Sequence, residues 1–276
     1  MPPRRRLLSI LFAVLVCVPI ALVVGLFAAL YFGQRALIYP APAESVAIPQ
    51  GFAEVRLETD DGLQLRAAWT PPREERPSII FFHGNGDTLA GAAMATDAFA
   101  RSGYGVLLAD YRGYGGNPGA PDEAGLTRDA DAAARFLARQ GIAHQGTVIM
   151  GASLGTGVAT ALASRWSQAG GPPAALVLVS PFTSLPDAAA AAFPWLPVRR
   201  FVHDRYDSLA TIGMLAAPVL VLHAGNDAVI PHGQGRRLAE AARDGTFKSF
   251  AHEGHQLQYG ESAQTFTLRW LRSYGL

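Results

Sequence analysis

The 276-residue sequence predicts an α/β domain built on a doubly wound, mostly parallel sheet, preceded by one transmembrane helix. Three observations carry this prediction. Short apolar runs at 79–82, 106–109 and 219–223 have the length and composition of strands buried on both faces. Segments of helical pattern alternate with them over about 220 residues. Ahead of both lies an uncharged apolar run, residues 7–32, long enough to span a bilayer with some tilt and too long for the usual signal-peptide core.

The first element sets a topology. Arg4-Arg5-Arg6 before the run, against Arg35 after it, favour a cytoplasmic N-terminus with the rest of the chain outside, periplasmic in a Gram-negative cell. Tyr31 and Tyr39 fall where interfacial aromatics belong. The rival reading is a long signal peptide cut after Ala41-Pro42-Ala43, and both the proline and the distance from the apolar run count against it. Cys17 is the single cysteine, so no internal disulfide forms, and Val16 is too large to precede a lipidated cysteine. Residues 33–50 hold three prolines and no sustained period, and read as a linker.

Residues 51–276 read as one domain. Alternating segments 52–59 and 63–70 around Asp60-Asp61-Gly62 give an antiparallel hairpin. Strands at 79–82, 106–109, 147–150, 175–179, 219–223 and 246–250 follow, with helices at 90–101, 123–139, 156–168, 233–242 and 263–273. The helix 123–139 has acidic residues early and arginines late, as the helix dipole prefers. Residues 181–215 interrupt the alternation as a small cap. Their aromatics and Leu196 (with Phe182, Phe193, Trp195 and Phe201) suit either the lining of an acyl pocket or the cover of a sheet edge. Half the residues are hydrophobic and the net charge is +1, with no basic stripe beyond the first few residues, which argues against a nucleic-acid partner.

The chemistry centres on Gly151-Ala152-Ser153-Leu154-Gly155, where a strand runs into a helix. A sharp turn there presents the Ser153 hydroxyl, and small residues are needed two positions either side because backbones approach closely. A nucleophilic serine needs an imidazole base and a carboxylate to orient it. In a sheet of this kind such groups gather at the carboxyl ends of strands. His255, in the loop after the last strand, is the expected base, with His252 on the same loop as its rival. Asp227, in Gly225-Asn226-Asp227 after the strand 219–223, is the expected acid. Asp110 also ends a strand, but reads as a structural carboxylate fixing the loop Tyr111-Arg112-Gly113-Tyr114-Gly115, with Arg112 as the expected partner. Asp204 and Asp207 read as ties of local turns. His83 reads as a stabiliser of its own loop, His223 as a packed core residue, and His144, His203 and His232 as surface or loop residues. The N–H groups of Leu154 and Asn85, the latter freed by Gly84 and Gly86, are the expected donors to an oxyanion. His252-Glu253-Gly254-His255 lacks the spacing of a zinc motif, so neither metal nor other cofactor is expected.

Taken together, the serine motif, His83-Gly84-Asn85, the loop at 110–115, Asp227 before Val229-Ile230-Pro231, and Gly254-His255 resemble the alpha/beta-hydrolase superfamily. The tract Gln34-Arg35-Ala36-Leu37-Ile38-Tyr39-Pro40 resembles its membrane-anchored branch, which includes lipid, lysophospholipid and acyl-thioester hydrolases. The resemblance implies a Ser153–Asp227–His255 triad acting on a small-molecule or lipid ester. The cysteine-rich N-terminus of the branch members that remove palmitate from proteins is missing here. A peptidase or amidase with the same triad, and a hydrolase-like binding protein, are the competing readings.

Overall fold

The computed structural model describes residues 3–276, with side chains from Leu11 onward except Ala13. The backbone divides into two units, Met1–Ile38 and Tyr39–Leu276. The first is a single helix, α1 (Pro3–Ile38), whose 25-residue stretch Val14–Ile38 is long and apolar enough to cross a membrane. The side chains of Arg4, Arg5 and Arg6, on which the expected orientation rests, lie outside the described residues.

The expected linker is not one. Residues 33–38 continue the helix, because nothing between Gly33 and Ile38 breaks it before Pro40. Tyr39, expected at the membrane interface, is instead 4% exposed and belongs to the folded unit. Beyond it, Val46, Ile48 and Phe52 pack against the core and the Pro42 carbonyl accepts from the Gly115 N–H at 2.8 Å. An extended segment can bury alternate side chains this way despite its prolines.

The second unit is an eight-stranded sheet. The hairpin β1 (Ala53–Glu58) and β2 (Gln64–Thr70) pairs antiparallel, with Gly62 at φ +87° in the turn. Then come β3 (Ser78–Phe82), α2 (Leu89–Arg101), β4 (Gly105–Ala109), α3 (Glu123–Arg139), β5 (Thr147–Ala152), α4 (Leu154–Gln168) and β6 (Ala175–Val179). The cap follows, carrying α5 (Leu185–Ala192) and the one-turn α6 (Ser208–Thr211). The fold closes with β7 (Val219–Ala224), α7 (His232–Ala241), β8 (Gly245–Phe250) and α8 (Glu261–Ser273). Strand order is β1-β2-β4-β3-β5-β6-β7-β8; β2 meets β4 antiparallel and every later pairing is parallel.

All residues of β3, β4, β5, β6 and β7 are buried, as expected for strands covered on both faces. On one face Phe81, Leu108, Val148 and Met150 pack with Phe99 of α2 and Trp270 and Leu271 of α8. On the other, α3 and α4 lie side by side. Helix starts are set by side chains: Asp122 accepts from the Gly125 N–H at 2.6 Å, and Ser184 from the Asp187 N–H at 3.2 Å. α4 is different. Its N-cap is Ser153, whose side chain makes no capping bond.

Candidate active site

Ser153 stands at the β5–α4 turn with φ 48° and ψ −116°, a conformation that costs a non-glycine residue energy and is held by its surroundings. Its N–H donates to the Val179 carbonyl at 2.9 Å and its carbonyl accepts from the Thr156 hydroxyl at 2.6 Å. The flanking glycines are sterically required. A Cβ on Gly151 would run into the Gly155 carbonyl, and one on Gly155 into the carbonyl oxygen of Phe82.

The structure brings Ser153, His255 and Asp227 together. His255 Nε2 lies 2.9 Å from Ser153 Oγ, and His255 Nδ1 lies 2.8 and 3.0 Å from the two Asp227 carboxylate oxygens. The His255 side chain is 20% exposed and the Asp227 side chain fully covered. Burial pushes the Asp227 carboxyl up. Hydrogen bonds from His223, His255 and the Ile230 and Val229 N–H groups outweigh that and hold it well below the usual carboxylate range. An ionised carboxylate behind an imidazole, with a hydroxyl in front, is a geometry through which the hydroxyl proton can be taken up and returned. His252 is exposed, and its loop turns His255 inward instead.

Two residues in this cluster carried no such reading in the sequence. His223, expected as a core residue, is fully buried, but its Nε2 lies 3.1 Å from the Ile230 carbonyl and 3.3 Å from Asp227 Oδ2. Ser180, just beyond β6 at φ 51°, donates its hydroxyl to the His255 carbonyl at 2.9 Å. Its sequence context, Ser180-Pro181 after a strand, does not announce that role.

The Leu154 N–H opens α4, and the first N–H groups of a helix have no intrahelical acceptor. The Asn85 loop reaches the same place: a Cβ on Gly84 would touch Ser153 Cβ at 3.4 Å. That loop is clamped from behind. His83 Nε2 lies 3.0 Å from Asp110 Oδ1, Tyr111 donates to the His83 carbonyl at 2.9 Å, and Tyr114 to Asn85 Oδ1 at 3.1 Å. Asp110 therefore fixes the glycine-rich loop through His83 and not through Arg112. The arginine pairs with Asp61 and Asp129, tying the β1–β2 turn to α3. Among the remaining acids, Asp207 caps α6 and Asp204 accepts from Tyr39. His144 stacks on Trp166 at 3.7 Å and His232 contacts Ser249 Oγ at 2.9 Å. Of the five cap residues, Phe182 is buried while Phe193, Trp195 and Phe201 are exposed. No cluster of three metal-ligating side chains occurs among the described residues.

A mostly parallel sheet with a serine on a strained strand-to-helix turn, and a histidine and a carboxylate arriving from later strand ends, is the architecture of an alpha/beta-hydrolase. The comparisons agree. Residues 73–210 match the family described as serine aminopeptidase, S33. The chain is 41% identical over 229 residues to the uncharacterised protein MT2364 of Mycobacterium tuberculosis, covering 80% of this chain and 79% of that one. It is 34% identical over 203 residues to lysophosphatidylserine lipase ABHD12 of Danio rerio, covering 68% of this chain and 52% of the lipase, so it spans about half of that relative's length. The Pyrococcus furiosus esterase Pf2001 superposes with a TM-score of 0.63 at 18% identity, over 85% of this chain and 94% of the esterase, a likeness of fold. The chain belongs to the serine aminopeptidase S33 family of alpha/beta-hydrolases and is a hydrolase.

Proposed function

We propose that the protein is a serine hydrolase of carboxylic esters or thioesters, anchored to a membrane by α1, with lipid or lysophospholipid acyl esters as the substrate class. The observation that carries this is the continuous contact from Ser153 Oγ to His255 Nε2 at 2.9 Å and from His255 Nδ1 to Asp227 at 2.8 Å. Ser153 attacks the acyl carbonyl while His255 takes its proton; the proton then goes to the departing alcohol or thiol, leaving an acyl-enzyme. Asp227 holds the imidazole tautomer and stabilises the imidazolium. The Leu154 and Asn85 N–H groups receive the developing oxyanion, each contributing about 3 kcal/mol of transition-state stabilisation. Water repeats the cycle and releases the acid. Every group the reaction needs is a side chain or backbone N–H of the chain, so no cofactor enters.

The lipid substrate class is supported by the ABHD12 relatives, named as lysophosphatidylserine lipases. Anchoring is supported by the 25-residue apolar stretch, and the arginines before it favour an N-terminus in the cytoplasm and the hydrolase domain outside. The family's description as a serine aminopeptidase favours a second reading, amide hydrolysis by the same three residues. A fluorophosphonate probe tests the nucleophile: it labels the wild type and not Ser153→Ala, and labelling of the alanine variant overturns the assignment. Turnover of acyl esters of rising chain length against peptidyl amides separates the two substrate classes.

A further inference from the structure

We propose that the cap excursion between Leu185 and Arg205 is an interfacial patch that seats on a bilayer surface bearing anionic headgroups. This rests on the membrane-anchored reading and adds a second, peripheral contact to it. The excursion is closed at its base, where the Leu185 N–H donates to the Arg205 carbonyl at 2.8 Å, so the residues between, α5 among them, leave and return at one point. A series of tight turns, Phe193 N–H to Ala189, Leu196 N–H to Phe193 and Phe201 N–H to Val198, sets its crest.

The crest carries an unusual set of side chains. Phe193, Trp195 and Phe201 are 50, 76 and 45% exposed, whereas Trp69, Trp166 and Trp270 are each 8% exposed or less. Single exposed apolar residues are ordinary on a soluble surface; three aromatics within nine residues are a patch. Arg199, Arg200 and Arg205 are exposed alongside them. Of the two carboxylates in the excursion, Asp187 pairs with Arg199 and accepts from the Thr183 hydroxyl, and Asp204 is buried. Aromatics among arginines, with the acids paired or buried, match the headgroup layer of an anionic leaflet.

The same side chains would suit a protein partner, and Tyr39 decides between them. It is the first residue of the folded unit, and its hydroxyl donates to Asp204 Oδ2 at 2.8 Å and lies 3.0 Å from the Tyr206 hydroxyl. The chain therefore enters the folded unit at the root of this excursion, directly after the stretch that is apolar enough to span a bilayer. The root of the excursion is thus tied through the chain to the segment read as the anchor, with Tyr39 following Ile38 directly, and such tethering makes even a weak contact with lipid effective.

The test uses the full chain reconstituted into phosphatidylcholine vesicles, with and without phosphatidylglycerol, whose acyl chains are brominated close to the headgroups. α1 contains no tryptophan, so the difference between wild type and Trp195→Phe isolates the Trp195 emission. Bromine is expected to quench that emission, more strongly with phosphatidylglycerol, with Arg200→Glu removing the added increment. Floating vesicles that carry the chain but leave the Trp195 emission unquenched and open to iodide overturn the patch and leave the anchor standing. Flotation only with phosphatidylglycerol, lost in Arg200→Glu, overturns the anchor and keeps the patch. A chain that floats with neither vesicle overturns both.

Discussion

His223 Nε2 lies 3.3 Å from Asp227 Oδ2, so the carboxylate facing His255 is bracketed by two imidazoles. Room for the second ring is built in, since a Cβ on Gly235 of α7 would collide with His223 Nδ1, a buried nitrogen with no hydrogen-bond partner among the described residues. A polar ring kept in a buried strand with one nitrogen unsatisfied is costly, which points to its other nitrogen as the reason it is there. Replacing His223 by leucine removes a donor from Asp227 and raises its carboxyl toward the usual range. The expected outcome is a fall in kcat/KM of about tenfold, equivalent to ~1.4 kcal/mol, with the acid limb of the pH–rate profile moved to higher pH. An unmoved acid limb would show that His223 serves packing alone.

Gly155→Ala is expected to destabilise the fold and abolish turnover together. The added methyl meets backbone oxygens of Phe82 and His83, which cannot yield as a flexible side chain does. Overpacking of this kind costs about 1–3 kcal/mol, and the shift falls on the turn that aims Ser153. Urea unfolding and fluorophosphonate labelling of the same sample check both; full labelling with wild-type stability would contradict the steric account.

The His83–Asp110 contact predicts a pH dependence of stability. Burial opposes charge on His83, but the Asp110 carboxylate and then the Gly84 carbonyl, 2.8 Å from Nδ1, outweigh it and hold the imidazole above its ordinary value. The folded state then binds more protons than the unfolded one, so the contribution is complete below about pH 6.5 and is lost as pH rises through the folded value. Melting temperature is expected to fall across that window, and to fall less in Asp110→Asn. Parallel pH curves for the two proteins would refute the charged pair.

Tyr39→Phe removes a hydroxyl that donates to buried Asp204 and contacts buried Tyr206. A loss of about 1–3 kcal/mol is expected, without loss of fluorophosphonate labelling in the folded protein. Chemical denaturation of the detergent-solubilised full chain measures it. An unchanged midpoint would mean that the hydroxyl is replaced by other partners of Asp204.

Much of this architecture was legible because strands buried on both faces leave continuous apolar runs, and β3, β4, β5, β6 and β7 all do so. The meeting of Ser153, Asp227 and His255 followed from one topological rule, that loops at one edge of the sheet converge. What stayed hidden depended on side-chain direction. Nothing in a strand reading Val219-Leu220-Val221-Leu222-His223 says that its last ring bonds Asp227 four residues on. Residues 33–50 differ from their sequence reading for another reason: prolines signal interrupted periodicity, yet an extended segment packs without any period. Asp110 ends a strand as its sequence indicates, but its partner is not the sequence neighbour Arg112; it is His83, just past the end of the adjacent strand β3.

The imidazole that reaches Ser153 is carried behind β8, the outermost strand on its side of the sheet. On the proposed mechanism, residue 153 has no base near it until that edge docks, however complete the centre of the fold has become, so reactivity toward acyl groups would report on the closure of a margin rather than on the integrity of the middle.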